Sequence, residues 1–272
     1  MLSLKDKVII ITGASSGIGK ALVEHGAREG LKIVMAARNL EKMNEISRSL
    51  TEKGAEVLTV KTDVSVESDC HNLIEQTIDR FGRIDILVNN AGLAMRALFE
   101  EVDLAVIHRL MDVNFWGTVY CTKYALPHLL KARGTVAGII SIAGYIGLPG
   151  RTGYSASKYA VRGFLETLRV ENLKEGLHVL IAAPGFTATN IRNTSLTADG
   201  TAQDQSPRDE AKMMTAEAVA VKIFKAIRHR RRTIILTFTE GKLTVFLRKF
   251  FPALVDRLAY VHLAKEPDSP FR

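Results

Sequence analysis

The amino-acid sequence predicts an α/β protein, a doubly wound parallel sheet of about seven strands in a single domain, with a helical tail at the C-terminal end. Three observations carry this. Short runs rich in Val, Ile and Ala alternate with helical stretches up to about residue 240. The first run, Val8-Ile9-Ile10-Ile11, stops at a glycine-rich turn, Thr12-Gly13-Ala14-Ser15-Ser16-Gly17-Ile18-Gly19. The chain has 272 residues, 47% apolar and 24% charged, enough to bury the core such a sheet requires. Strict alternation is satisfied by right-handed crossovers that cover both faces of the sheet.

The elements follow in order. The first strand is apolar at every position and so reads as buried on both sides. Residues 20–29 form a helix with Ala21, Leu22 and Ala27 inward, closed by Gly30. A second strand spans 32–37, and a polar helix over 40–53 stops at Gly54. Strand and helix then recur at 56–62 and 68–81, and a fourth strand at 85–90 precedes one long helix over 102–130. A fifth strand at 136–141, a helix at 154–174, a sixth strand at 179–183, a helix at 215–229 and a seventh strand at 233–239 complete the pattern. The polar stretch 187–208 is too long for an ordinary connection, which points to a functional or mobile segment. A catalytic unit of residues 1–240 and a helical extension of 241–272 are expected.

In the extension, Pro252 divides two helices, because proline suits a helix start. Leu254, Val255, Leu258 and Val261 recur at helical spacing beside Lys and Arg. That face fits peripheral membrane contact or, more plainly, packing on the domain or on a sister subunit. The net charge of +8 gathers here: residues 228–272 hold ten Lys and Arg against four Asp and Glu. A nucleic-acid binder is basic more uniformly, so no nucleic acid is expected. Cys70 and Cys121 form no C-x-x-C pair and read as reduced thiols. No leader precedes the first strand and no apolar run approaches a span of ~20 residues, so a cytoplasmic protein is expected. No metal-binding cluster is evident, and no metal is expected.

Ligands bind such sheets at the carboxyl ends of the strands, where each motif falls. Glycines after the first strand let backbone approach a pyrophosphate at a helix N-terminus. The spacing is G-x-x-x-G-x-G. The second strand ends Ala36-Ala37-Arg38-Asn39, with no carboxylate before Glu41. Arg38 is either a solvated loop arginine or the partner of a 2′-phosphate, and the second reading, with a hydroxyl from Ser15, selects NADP(H) over NAD(H). Asp63 meets an adenine or caps a turn. Asn89-Asn90-Ala91-Gly92 ends the fourth strand. Tyr154 and Lys158 stand at i and i+4 on one helix, thirteen residues beyond Ser141. A free phenol has a pKa of roughly 10, and a neighbouring ammonium lowers it, which makes a general acid/base. The proton would accompany a hydride from a nicotinamide.

These residues resemble the short-chain dehydrogenase/reductase family. The matching residues are the turn at 12–19, Asn89 to Gly92, Asn114 within Val113-Asn114-Phe115-Trp116-Gly117, Ser141, Tyr154 with Lys158, and Pro184-Gly185 followed by Thr187. The match covers about residues 5–240. It implies a Rossmann-type sheet and a pyridine-nucleotide oxidoreductase. Tyr154 would donate the proton in carbonyl reduction and accept it in alcohol oxidation. Lys158 would bind the nicotinamide ribose and depress Tyr154. Ser141 would hold the substrate oxygen, and Asn114 a relay water. Gly13, Ser15, Ile18 and Gly19 would line the pyrophosphate and adenosine ribose, and Asn90 the inner ribose. Pro184, Gly185 and Thr187 would border the carboxamide. Dimers or tetramers would form through the helices at 102–130 and 154–174. A pocket of 92–96, 142–148 and 187–214 is expected. Its Leu93, Tyr145, Ile146, Leu148 and Phe186 are either loop core or the lining for a fatty-acyl, lipid or steroid-like carbonyl. A silent NADP(H) sensor is the rival, against which the intact Ser-Tyr-Lys set argues.

Overall fold

In β-branched runs without polar alternation, successive side chains enter opposite cores, and that pattern organises the molecule. A computed structural model describes residues 3–204, 213–266 and 269–271. The strands are β1 Val8–Thr12, β2 Lys32–Ala37, β3 Val57–Lys61, β4 Ile86–Asn89, β5 Thr135–Ile139, β6 His178–Ala183, β7 Thr187–Ala188, β8 Met214–Thr215 and β9 Thr233–Ile235. Seven of them form one sheet in the order β3-β2-β1-β4-β5-β6-β9. Every pairing in it is parallel.

The helices are α1 Gly17–Arg28, α2 Leu40–Thr51, α3 Glu67–Phe81, α4 Leu104–Leu110, α5 Gly117–Lys131, α6 Thr152–Glu171, α7 Ala216–Arg228, α8 Thr244–Arg248 and α9 Pro252–Ala264. Ile9 and Ile11 of β1 pack with Leu22, Met43 and Phe224 of α1, α2 and α7. Val8 and Ile10 pack on the other face with Leu73, Leu129 and Leu165 of α3, α5 and α6. Cys70 and Cys121 meet there with sulfurs 3.5 Å apart, as buried free thiols. Their contact and burial push the Cys121 thiol well up.

Three expectations change. The long helix over 102–130 is interrupted at Met111–Trp116 by a π-helical segment with Asn114 inside it. A π-bulge inserts an extra residue per turn, which apolar periodicity does not announce. The seventh strand ends at Ile235, and Phe238–Leu243 forms a second π turn that leads away from the sheet. The stretch 187–208 is not all loop, because Thr187 of β7 pairs with Met214 of β8; residues 205–208 lie outside the described residues. As expected, Pro252 opens α9 at its first turn.

Candidate active site

The carboxyl edge of the sheet opens into a cavity of about 1050 Å³. At one end lies the glycine turn. Gly13 and Gly17 hold φ of +65° and +52°, which side chains resist. A Cβ on Gly19 would stand 2.1 Å from the Gly13 carbonyl oxygen. Asn90 Nδ2 donates to the Thr12 carbonyl at 2.9 Å, and Thr12 Oγ1 accepts from the Asn90 and Ala91 amides at 3.0 Å each. The ends of β1 and β4 are thus tied around the turn. α1 starts at Gly17 with no acidic residue in its first turn, so its amides and dipole favour an anion. Close-fitting glycines before an uncapped helix suit a dinucleotide pyrophosphate.

Arg38, at the end of β2, is exposed to this cavity and forms no ion pair among the described residues. Asp63 lines it too and also caps a turn, accepting from the Ser65 amide at 3.0 Å and hydroxyl at 2.6 Å. Burial alone would raise its carboxyl, but the Ser65 bonds and the charges of Arg38 and Arg109 hold it low.

At the other end stand Ser141, Tyr154 and Lys158. Ser141 follows β5 and caps a short turn, its Oγ accepting from the Ala143 amide at 3.2 Å. Its hydroxyl also hydrogen-bonds Tyr154. Tyr154 lies in the first turn of α6, partly open to the cavity, with Lys158 one turn on. Lys158 Nζ donates to the Ile139 carbonyl at 3.1 Å. Burial pulls Lys158 down to about 8.

The expected depression of Tyr154 by Lys158 is not what the structure gives. Burial raises the phenol above its usual value, and only the Ser141 bond and the Arg151 charge oppose that. The Lys158 nitrogen stands 5.8 Å from the ring centroid and is turned to a carbonyl.

Asn114 sits behind Lys158. Its Oδ1 accepts from the Leu93 amide at 2.8 Å, and its Nδ2 donates to the Leu93 carbonyl at 3.0 Å and to Ser157 Oγ at 2.8 Å. Ser157 in turn donates to the Tyr154 carbonyl. A Cβ on Gly92 would lie 3.1 Å from Asn114 Oδ1 and 3.3 Å from Lys158 Nζ, so these three residues are neighbours. Pro184 accepts from the Ile142 amide, and Thr187 Oγ1 donates to the Gly185 carbonyl at 3.2 Å. Every expected site residue lines the cavity except Gly19 and Asn114, which buttress its wall from behind.

Sequence reasoning missed a further wall. Val255, Leu258 and Leu263 of α9 line the cavity. Just beyond α9, the buried Glu266 carboxylate meets Arg151 at 3.1 Å and Arg96 at 3.6 Å. Thr12 and Ser157 were also missed as positioning groups, although both stand inside quoted motifs. The sequence marks the motif and not the direction of its hydrogen bonds.

A cleft that leads from a helix N-terminus to a phenol and an ammonium defines a class, the nicotinamide-dependent oxidoreductases. Residues 7–200 match the family model described as short chain dehydrogenase. The chain belongs to the short-chain dehydrogenase/reductase family, whose fold binds a nicotinamide cofactor. It is 35% identical to "11-beta-hydroxysteroid dehydrogenase A" of Sesamum indicum, over 96% of this chain and 78% of that protein. Among solved structures it resembles a short-chain dehydrogenase/reductase of Burkholderia phymatum in complex with NAD, at 26% identity, TM-score 0.79 and full coverage of both chains. It also resembles an alcohol dehydrogenase of Thermococcus sibiricus complexed with 5-hydroxy-NADP, at 25% identity and TM-score 0.74, over 85% of this chain and 95% of that one.

Proposed function

We propose that this oxidoreductase interconverts a carbonyl and a secondary alcohol on an apolar fatty-acyl, lipid or steroid-like substrate, with NADP(H) preferred to NAD(H). The observation that carries the chemistry is the presence of Ser141, Tyr154 and Lys158 together in the lining of one cavity, with Ser141 bonded to the phenol. A bound nicotinamide dinucleotide supplies or accepts the hydride. Tyr154 Oη gives its proton to the nascent alkoxide in reduction and takes it back in oxidation. Ser141 Oγ steadies the charge that develops on the substrate oxygen. Lys158 holds positive charge and ribose hydroxyls at the base of the site, and Asn114 fixes the floor against which Lys158 rests and holds its relay water. Gly13, Ser15, Ile18 and Gly19 shape the pyrophosphate cradle beside Asn90. Asp63 faces the adenine. Pro184, Gly185 and Thr187 border the carboxamide. The raised Tyr154 pKa favours the protonated phenol, the form reduction needs.

Arg38 supports the cofactor preference, because an exposed guanidinium stands where an NAD-selective site carries a carboxylate. The apolar wall of Leu93, Ile146, Leu148 and Val255 supports the substrate class. The relative from sesame carries a hydroxysteroid name, in keeping with it. Residues 1–240 act as the catalytic unit, and the extension of 241–272 adds a wall to its pocket. Trp116, just before α5, and Tyr159 of α6 are exposed, which supports self-association through these helices. Unbonded thiols at Cys70 and Cys121 suit the reducing cytoplasm.

The test is NADPH oxidation followed by absorbance across a panel of soluble and long-chain ketones. Tyr154→Phe should lower kcat by about a thousandfold while leaving the dissociation constant for NADPH nearly unchanged. Unchanged turnover would refute the acid/base assignment. Nucleotide binding with no turnover on any ketone would favour the silent sensor.

A further inference from the structure

The C-terminal lobe exposes more apolar surface than the fold explains. Among the described residues, nine of the eighteen exposed large hydrophobic side chains fall within 238–261, a short stretch of a long chain. Phe246 is 58% exposed, Phe250 63% and Phe251 57%. The Phe246 and Phe250 rings touch, with centroids 5.3 Å apart. On α9 only Val255 and Leu263 are buried. A surface helix normally turns a polar face to water, and a contiguous apolar patch on a protein marks a contact surface. Among the described residues no helix is long and apolar enough to cross a membrane, so a lobe of this kind lies on a surface and does not span one.

Charge identifies the surface. Lys242, Lys249 and Arg257 stand among these residues in the chain, are exposed and form no ion pair among the described residues. Arg248 is spent on Asp256 at 2.6 Å, a contact that staples α8 to α9. Exposed aromatic side chains interspersed with exposed cations match the acyl chains and anionic headgroups of a bilayer. A second copy fits less well. A two-fold contact sets the same patch against itself and brings like charges together.

α9 belongs to both surfaces. Leu258 and Val261 line the cavity that holds Tyr154, and they are 54% and 50% exposed. α9 therefore carries exposed apolar surface at the cavity wall and, through its neighbour α8, on the lobe. We propose that this lobe docks on an anionic phospholipid surface through Phe246, Phe250 and Phe251 with Lys242, Lys249 and Arg257, and that a membrane-dissolved substrate enters past α9. The docking stands on the lobe alone. The delivery step rests on the apolar-substrate reading above.

The experiment uses the full chain and vesicles of phosphatidylcholine, with or without phosphatidylglycerol. The parent protein should co-sediment with the anionic vesicles and dissociate as salt rises. Phe250→Ser with Phe251→Ser, and separately Lys249→Glu, should each weaken partitioning by about tenfold or more. None of these residues lines the cavity, so turnover of a water-soluble ketone should stay at the parent level. KM for a vesicle-dissolved long-chain ketone should rise in both variants. A well-folded parent, judged by a cooperative melt, that ignores anionic vesicles would overturn the proposal, as would variants that sediment like the parent. Loss of a dimer in the phenylalanine variant without vesicle binding by the parent would assign the patch to a second copy. Vesicle binding is read without turnover, so it survives or fails independently of the oxidoreductase reading.

Discussion

Lys158 is the residue where burial and function pull against each other. The residue is 5% exposed and its pKa falls from 10.5 to about 8. Below about 8 the group is charged in the folded and unfolded chains alike, and the folded protein bears the full burial cost. Between 8 and 10.5 only the unfolded chain keeps the proton, so stability rises with pH across that window. Lys158→Met should therefore be inactive yet more stable than the parent by about 2 kcal/mol at pH 7, an advantage that shrinks toward pH 10. Urea melts at the two pH values check both the sign and the trend. Arg38 gives a second test. Arg38→Asp should lower the NADP/NAD ratio of kcat/KM by at least about tenfold, and an unmoved ratio would mean that the guanidinium does not meet the phosphate. Ser141, Tyr154 and Lys158 could be read because their spacing is fixed by one strand end and one helix turn. The direction of the Tyr154 shift could not, because enclosure raises the phenol and the opposing charge comes from Arg151, not from the lysine one turn away.

At the level of elements, the interruption of the helix after α4 matters most. Asparagine is a modest helix former, which suits a local distortion at this point of a long apolar pattern. The pattern did not reveal that the distortion is a π segment which carries Asn114 to Leu93 and Ser157. Asn114→Ala removes three hydrogen bonds and leaves the Leu93 amide and carbonyl without these partners. A loss of about 2–3 kcal/mol is expected in denaturant melts, with a fall in kcat larger than any change in the NADPH dissociation constant. A variant as stable as the parent would show that the segment is held by backbone packing instead. Most strands of the sheet were legible to within two residues, since both of its faces are covered and its central runs are mostly apolar. The end of β9 was not, because Leu236 and Phe238 continue the apolar run while the backbone leaves the sheet.

Across the whole molecule, one parallel sheet sends its carboxyl ends to a single edge, which is why motifs from residue 12 to residue 187 share one cavity. That convergence was legible from alternation alone. The closing wall was not, because Glu266 and Arg151 are 115 positions apart and neither stands in a motif. A buried carboxylate between two arginines is costly to break. Glu266→Ala should free the end of α9 locally, raising KM for an apolar ketone several-fold and speeding tryptic cleavage at Lys265 or Arg257. KM for NADPH should not move, because the glycine turn lies at the far end of the cleft. Equal rises in both constants would make Glu266 a general stability residue. The position of this carboxylate in the chain also bears on how the protein is made. A polypeptide still leaving the ribosome can complete its sheet and seat its first turn while one side of its cleft gapes. Order of synthesis then leaves that side of the cleft without its Glu266 latch until residue 266 has emerged.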